Sequence, residues 1–585
     1  MRKHVLFWLL ITSYNLVQAQ SEFHFSGFVT SETTDNSLSN VRLWIPSDSI
    51  ESTTNAFGYF NLITTKDSFT AFMEKPGFVP REMQVVFQEG GATLVVPLQS
   101  NAGLSTKLLR FDPDDNGNFN LSITPIFNTE FTHYTPSSST NHEITDIESD
   151  KIVMTRAELD AVPFIFSEPD VSKALQVNAG VEFASDGYSD MTVRGGGLGQ
   201  NQILLNGAPV YSLGHFEGYI SNFSSTTAEE VVLYKAAFPA RYGGRLSSVM
   251  DVKSTAGNAL EAEADIAVSP VLGNFKVGLP LGNGNSLGVT FRRSYIDLLL
   301  DVADQELFYR DFSGKLDLNL NTKNKLTLSY YSLKDKIKVS ESEFNDTNTN
   351  VKELDFTVDI TVKNQTTSAD WLHIFDQKTT GTFTAYYTNY SNGIALSETD
   401  YTAPIGSNAI SDYTVRFSAG EVGAQADFEH RKNKKMLLRY GLQNRLHLNN
   451  SGSLVDKRYT IDGDLITDDQ YGDTVIQTGI ETSIYIEDEY TYNNKLAFNA
   501  GLRTTLYSYH NFTRFYPEPR FSGRYLLSST SSVKFSYARM HQFMHLYNTD
   551  GAATDNFVVY LPASEKLKPQ TSDILSLGYH TKPGK

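Results

Sequence analysis

GNSLG, Gly284 to Gly288, has the GxSxG spacing that sets a serine nucleophile, here Ser286, on a strand-to-helix elbow. The residues after it, VTFRRSY, alternate like a strand, and Asn283-Gly284 before it reads as a hairpin turn, so the elbow lacks its helix. RGGG, Arg194 to Gly197, raises a second possibility, a phosphate cradle. A dinucleotide loop beginning at Gly195 needs glycine in its sixth place and finds Gln200; a P-loop needs a lysine that is not there. DPDDNGNFN, from Asp112, spaces oxygen ligands alternately with Gly117 sixth, like a calcium loop, but Ile123 stands where a bidentate glutamate is expected. Asp462, Asp464, Asp468 and Asp469 form an acidic run that calcium would accept and that water usually solvates. His541 and His545 share a face if they lie on one strand, yet spacing alone does not put two ligands on one metal. The chain has no HxxE, no HExxH and no cysteine, so zinc-peptidase, thiolate-metal and cysteine-nucleophile chemistry are all excluded. The residues point to a protein that is not an enzyme and that needs no metal or cofactor.

The elements around these residues say more. A net charge of −18 over 585 residues argues against a nucleic-acid binder. Arg2, Lys3 and His4, then Val5 to Ile11, then Val17-Gln18-Ala19 make the charge–apolar–small order of a secretory signal peptide over residues 1–19. Beyond it no run of about 18 apolar residues occurs, so an exported chain with no transmembrane helix is expected: periplasmic, secreted, or an outer-membrane barrel. Over residues 20–100, Phe25 to Val29, Val41 to Ile45, Tyr59 to Ile63 and Met83 to Phe87 read as strands of a small β-sandwich. With Gly58 at the turn of TTNAFGYFNL, this segment resembles the carboxypeptidase-regulatory-like domain, which implies a transthyretin-like β-sandwich and no peptidase activity. Residues 101–150, rich in Asn, Asp, Ser and Thr, read as a linker.

RGGG sits in MTVRGGGLGQNQILLNGAPVY. Met191 and Val193 alternate with polar residues, Ile203 to Leu205 read as a second strand, and Asn206-Gly207 as another turn, so a hairpin is expected. Upstream, Pro169 and Asp170 open a helix with Val171, Ala174, Leu175 and Val177 on its apolar face, and Gly180 stops it. DVSKALQVNAGV, VRGGGLGQNQILLNGAPVY and FPARYGGRLSSVMDV, in that order, strongly resemble the plug domain of TonB-dependent outer-membrane receptors over residues 151–258. The resemblance implies a mixed α/β plug inside a barrel. It places the plug apex, and so ligand contact, at Arg194, Gly195, Gly196, Gly197, Gln200, Tyr211, His215 and Phe216. It also offers Arg241 and Arg245 as partners for acids on the barrel's inner wall, arginine being suited to carboxylate pairing.

From residue 259 to 585 the pattern is that of long strands. Met436, Leu438, Tyr440, Leu442, Leu446 and Leu448 fall on one side, with Arg439, Gln443, Arg445 and His447 on the other. Apolar-out and polar-in faces are what an antiparallel transmembrane β-barrel with a wet lumen needs, and 31 Tyr with 37 Phe suit its interfacial girdles. Short turns at Asn321 to Asn324, Arg431 to Lys434, Asn493-Asn494 and Ser528 to Ser532 are read as periplasmic; long polar loops near Ser340 to Lys352, Leu396 to Ser411 and Asn449 to Thr478 as extracellular. Alternation gives about fifteen or sixteen strands, fewer than the roughly 22 of plugged transporters. With no terminal aromatic strand in SLGYHTKPGK, the barrel reads as incomplete at its C-terminus. The fold class expected is therefore mainly β: an N-terminal sandwich on the periplasmic side, a plug and a barrel in outer-membrane lipid. The resemblance implies import of an extracellular ligand, driven by TonB with ExbB and ExbD. No convincing TonB box is present, HEITDIES from His142 being the nearest stretch. A surface receptor or adhesin on the same barrel is the alternative, and the ligand is not legible.

Overall fold

The computed structural model of the chain describes residues 23–581, except 49, 88–93, nearly all of 101–150, 161–163, 166–167, 184–190, 213, 236, 301–304, 346–351, 402, 405, 473–474 and 549–557. The leader over 1–19 lies outside the described residues, as do nearly all of the linker, the HEITDIES stretch and the calcium-like loop. Of that loop only Asp112–Pro113, paired with Phe119–Asn120, is described.

Residues 23–98 form two sheets on one core. Phe23–Ser31 lies between Tyr59–Thr64, antiparallel, and Leu94–Leu98, parallel. The second sheet runs Ile50–Thr53, Arg42–Ile45, Ser68–Glu74, Arg81–Val86. Alternate residues of both sheets (Phe25, Leu43, Ile45, Phe60, Leu62, Phe69, Met73) meet in a single apolar cluster, the packing expected of a sandwich.

The plug is a mixed sheet in the order Lys151–Thr155, Ala228–Tyr234, Ser248–Ser254, Asn201–Leu205, Ala208–Pro209, with the third and fourth strands parallel. The helix Val171–Gln176 covers it, burying Val171, Ala174 and Leu175. Its N-cap is Asp170, whose side chain accepts from the Lys173 amide at 3.0 Å, satisfying one of the helix's free donors. Gly180, at φ 77°, turns the chain away. The expected hairpin around RGGG is not there: Met191–Val193 pairs with Val181–Phe183, and Asn201–Leu205 belongs to the other sheet. RGGG is instead a connection between sheets, with Arg194 at φ 51° and Gly195 at φ 73° making the bend. The true two-residue hairpin is Asn206-Gly207, at φ 47° and 78°, the positive angles that such a turn needs.

Around the plug stands one antiparallel sheet of 15 strands from Glu263–Val268 to Gln570–Thr581. Neighbours in sequence pair, apart from Leu465–Gly472, a side branch on Met436–Tyr459, and from Ser531–Gln542 and Gln570–Thr581, which pair across an intervening two-stranded hairpin. GNSLG falls in the strand Asn285–Ser294 directly after the Asn283-Gly284 turn, so Ser286 lies in a strand–turn–strand unit with no elbow. The short turns fall where expected, at one rim. At the other rim the strands run on into the polar stretches read as loops: Asn324–Asn345, Lys352–Ile374, Thr379–Asp400, Ile410–Asn433 and Met436–Tyr459 reach 22 to 24 residues, while 401–409 joins two of them as a loop. A tilted strand needs only about 9–11 residues to cross a bilayer.

The side chains show why these strands outrun the membrane. On Asn324–Asn345 the outward positions nearest the short turns are Leu326, Leu328 and Tyr330; farther on they are Lys334, Lys336 and Lys338. On Lys352–Ile374 the inward positions change from Asn364, Thr366 and Ser368 to Val358, Ile360 and Val362. Outward and inward polarity thus reverse along one strand. The lower half meets lipid outside and a polar plug inside; the upper half stands in water and packs apolar groups inward. The hairpin Met544–Asn548/Val558–Pro562 fills that upper lumen, with Met544 and Tyr560 packed on Val358, Ile360, Tyr390 and Tyr211.

Candidate functional site: the plug seated in the barrel

Three buried knots hold the plug to the wall. The first centres on His215, which is fully buried. Its Nδ1 lies 2.6 Å from Asp335 Oδ1 and its Nε2 3.1 Å from Asp311 Oδ2. Arg292 Nε donates to the same Asp311 oxygen at 2.6 Å, and its Nη2 donates to the carbonyls of Ser221 and Asn222 at 3.0 and 3.1 Å. The Phe216 amide donates to Asp335 at 2.8 Å, and the His215 ring stacks on Tyr309 at 4.2 Å. Burial alone would lower the His215 pKa, but Asp311 and Asp335 outweigh it and raise it to about 9. The two carboxylates thus favour the imidazolium at neutral pH, even with Arg292 Nη2 2.9 Å from Nε2.

The second knot centres on Tyr211. Its hydroxyl donates to Glu421 at 2.8 Å and its amide to Asn364 Oδ1 at 2.9 Å. Glu421 also accepts from Tyr386 and faces His447 at 3.2 Å and Arg445 at 3.6 Å; His447 in turn reaches Glu481 at 2.7 Å. Burial, with Glu421 alongside, pushes the Tyr211 phenol well above its ordinary pKa, so it stays a neutral donor. From above, the Tyr560 hydroxyl donates to the Tyr211 carbonyl at 2.7 Å.

The third knot corrects the expectation for Arg241 and Arg245. Among the described residues neither forms an ion pair with a wall acid. Arg241 donates to Tyr242 at 2.8 Å, and Arg245 lies over the Tyr211 ring at 5.9 Å. The pairing runs the other way, from wall arginines to plug backbone. Arg445 donates to the Gly243 carbonyl at 3.0 Å, Arg503 to Ala240 and Arg241 at 3.3 and 3.2 Å, and Arg520 to Phe238 and Pro239 at 3.0 and 2.6 Å. The Ala240 amide donates back to Glu487 at 2.7 Å. The reason is steric. In FPARYGGR, Gly243 and Gly244 press so close to the wall that an added Cβ would lie 2.3 Å from Arg503 and 2.6 Å from Arg445. The backbone itself is the contact surface there.

The residues expected at the apex therefore divide. Tyr211 and His215 are buried plug–wall contacts, and the Phe216 amide joins them. Arg194, Gly195 and Gly197 are exposed, with Arg194 Nη1 3.2 Å from Ser576. Gly196 is squeezed against Ser247, whose hydroxyl donates to Val193 at 2.6 Å. The Gln200 carbonyl accepts from Leu246 and Ser247, and its side chain accepts from the Gly197 amide at 3.1 Å. The wall and the lumenal hairpin both meet this bend: Gln542, at the end of the wall strand Ser531–Gln542, donates to the Gly199 carbonyl at 2.9 Å, and Leu546 of the hairpin abuts Gly199. His541 and His545 stand on different sheets, His541 close to Glu518. Asp468 and Asp469 lie on the side-branch strand, Asp468 3.5 Å from Lys457. The wall acids and arginines had one sequence signal, charge at alternate positions of an otherwise apolar-faced strand, as in Arg445 and His447.

A barrel wall enclosing a plug tied by buried ions is the build of an outer-membrane β-barrel receptor. The family models agree. The TonB-dependent receptor plug domain matches residues 145–248, and the TonB-dependent receptor-like β-barrel matches residues 276–584, more than half of the chain. The chain belongs to the TonB-dependent receptor family. Among solved structures, the outer membrane transporter YddB from Escherichia coli is similar at 12% identity and TM-score 0.54, covering 74% of this chain and 67% of that one. The siderophore receptor PirA from Pseudomonas aeruginosa (14%, TM-score 0.47, covering 74% and 72%) is more distant in shape. The first of these likenesses speaks to fold. No curated protein sequence matches the chain.

Proposed function

We propose that the chain imports an extracellular ligand into the periplasm by energised rearrangement of its plug, with TonB, ExbB and ExbD as the energy-coupling partners. One observation carries this reading: the plug is bound to the wall by buried charges and hydrogen bonds on several sides. A buried charge separated from its partner costs about 3–5 kcal/mol, so several such ties do not loosen by thermal motion alone. Passage then needs work from outside the protein. Ligand contact is assigned to the upper lumen around the hairpin Met544–Asn548/Val558–Pro562, and to the exposed part of the RGGG bend, Arg194 to Gly197. Residues 20–100 are assigned to the carboxypeptidase-regulatory-like class on their two-sheet core. A passive porin would lack such a plug, and an adhesin would not need a passage. The test is deletion of the gene followed by growth on limiting nutrients. Import predicts a growth defect on at least one nutrient, restored by the intact chain; a strain with no defect on any nutrient tried contradicts it.

A further inference from the structure

Below the plug lies a cavity of about 470 Å³, bounded by three parts of the chain. Barrel strands near the short turns supply Thr380, Thr382 and Thr384 on one strand and Gln425, Asp427 and Glu429 on the next. These are alternate residues, as expected for one face of each strand. The plug supplies Arg241, Tyr242 and Asp251, and the N-terminal domain closes the third side with Glu51, Ser52 and Asn55. The volume falls within the range of small-molecule sites, about 300–1,000 Å³. The lining mixes acids, bases, hydroxyls and amides with apolar side chains such as Trp44, Ile50, Leu204 and Leu437. It suits a small hydrophilic solute with many donors and acceptors and no large net charge of either sign.

The N-terminal domain is fastened across this space. Lys75 Nζ pairs with Glu230 of the plug, both side chains about 5% exposed or less, and also donates to the Ser39 carbonyl at 2.8 Å. Ser39 and Asn40 donate to the other Glu230 oxygen at 2.7 and 2.6 Å. Around that latch the domain touches the barrel rim: Lys325 donates to Ser37 at 2.7 Å, Arg431 to Ser52 at 3.0 Å, and Phe28, Phe57 and Tyr59 pack on Leu372 and Ile374. The Ala259 amide, where plug passes into barrel, donates to the Thr34 carbonyl at 2.9 Å.

We propose that this cavity is an inner holding site for a small hydrophilic cargo, and that the N-terminal domain is its periplasmic door, latched by Lys75 on Glu230. The proposal rests on the import reading for the cargo, and on the contacts alone for the door. Cargo released past the plug enters a polar chamber and leaves when the latch parts. Among the described residues Lys75–Glu230 is the buried ion pair in this contact, and replacing Lys75 by an acid would bury two like charges side by side, which should open it.

The chain has no cysteine, so a Thr382→Cys thiol is unique. In the detergent-solubilised full chain it is challenged with methanethiosulfonates bearing a sulfonate or a trimethylammonium group, and with a maleimide on a long polyethylene glycol. Thr530→Cys, on an exposed turn, gives the unhindered rate. Both small reagents should react at rates within about tenfold of each other, because the lining carries both charges, while the polymer is excluded. Lys75→Glu should raise the polymer's rate roughly a hundredfold, since like charges cannot share the buried latch. Lys75→Glu with Glu230→Lys should exclude the polymer again, which an unfolded domain could not do. The door is overturned if the polymer reaches Thr382→Cys as fast as Thr530→Cys, if Lys75→Glu leaves it excluded, or if the charge swap fails to restore exclusion. The mixed-polar holding site is overturned if either small reagent is shut out. Uptake by cells carrying the same latch variants separates the two readings. Import through a chain whose mouth is open at rest overturns the door alone; a latched chain without uptake overturns import and the cargo role with it.

Discussion

His215 should make the seating of the plug depend on pH. It lies between Asp335 and Asp311, with Arg292 Nη2 2.9 Å from its Nε2 and the rings of Tyr309 and Tyr331 closing the pocket. Its ordinary pKa of 6.5 is raised to about 9 in the seated plug. A raised pKa stabilises the seated state fully below 6.5, and the contribution fades as pH rises through about 9. At about 1.4 kcal/mol per pH unit the interval is worth roughly 3.5 kcal/mol, or about three-hundredfold in the released population. The assay is conductance across a planar bilayer, with urea added until the plug lets go, at pH values from about 6 to about 10. The urea needed should fall across that interval in the native chain. His215→Gln keeps a polar group but no charge, so its threshold should be low and nearly flat, and its comparison subtracts everything else that titrates. A His215→Gln protein with the native pH slope would refute the reasoning.

Other outcomes follow from the same contacts. Arg503→Met should lower the urea threshold for plug release by the equivalent of about 3–5 kcal/mol, whereas Arg245→Ala, with no wall acid to lose, should change it by less than about 1 kcal/mol. Gly196→Ala should cost about 1–3 kcal/mol in thermal stability, because its Cβ would lie 2.4 Å from Ser247 Oγ. Gly195→Ala meets no neighbour and should cost only the strain of its positive φ, about 1 kcal/mol. Leu442→Lys, outward in the lipid-facing half, should cost about 2–4 kcal/mol in refolding into vesicles, while Lys336→Leu in the upper half should refold as the native chain does.

The sequence made the order of the parts legible, because each part has its own periodicity. The plug helix was readable from Asp170, which caps it, and from Gly180, in the turn that follows its end at Gln176. The lipid-facing stripe of Tyr440, Leu442, Leu446 and Leu448 was readable from strict alternation. RGGG was misread as a hairpin because the local pattern of strand, glycines, strand is the same whether two strands pair with each other or with different partners. The long extracellular strands were misread as loops because polar sequence signals water, and water lies outside a strand as readily as around a loop. Val358, Ile360 and Val362 face inward only because the hairpin of Met544 and Tyr560 comes to meet them, a contact across some 200 residues that no local pattern encodes. The roles of Arg241 and Arg245 failed for a related reason. An arginine's partner depends on which backbone comes closest, and here Gly243 and Gly244 bring the plug backbone to the wall's own arginines.

The central claim, energised import, is tested most directly by solute depletion. Cells carrying the intact chain are grown in a chemically complex medium, and the medium is compared by mass spectrometry with that of cells lacking it, with and without a protonophore. The account predicts at least one small hydrophilic solute that only the carrying cells remove, and only while the proton motive force is intact. Depletion that persists in the presence of the protonophore, or no difference between the two media, would contradict it.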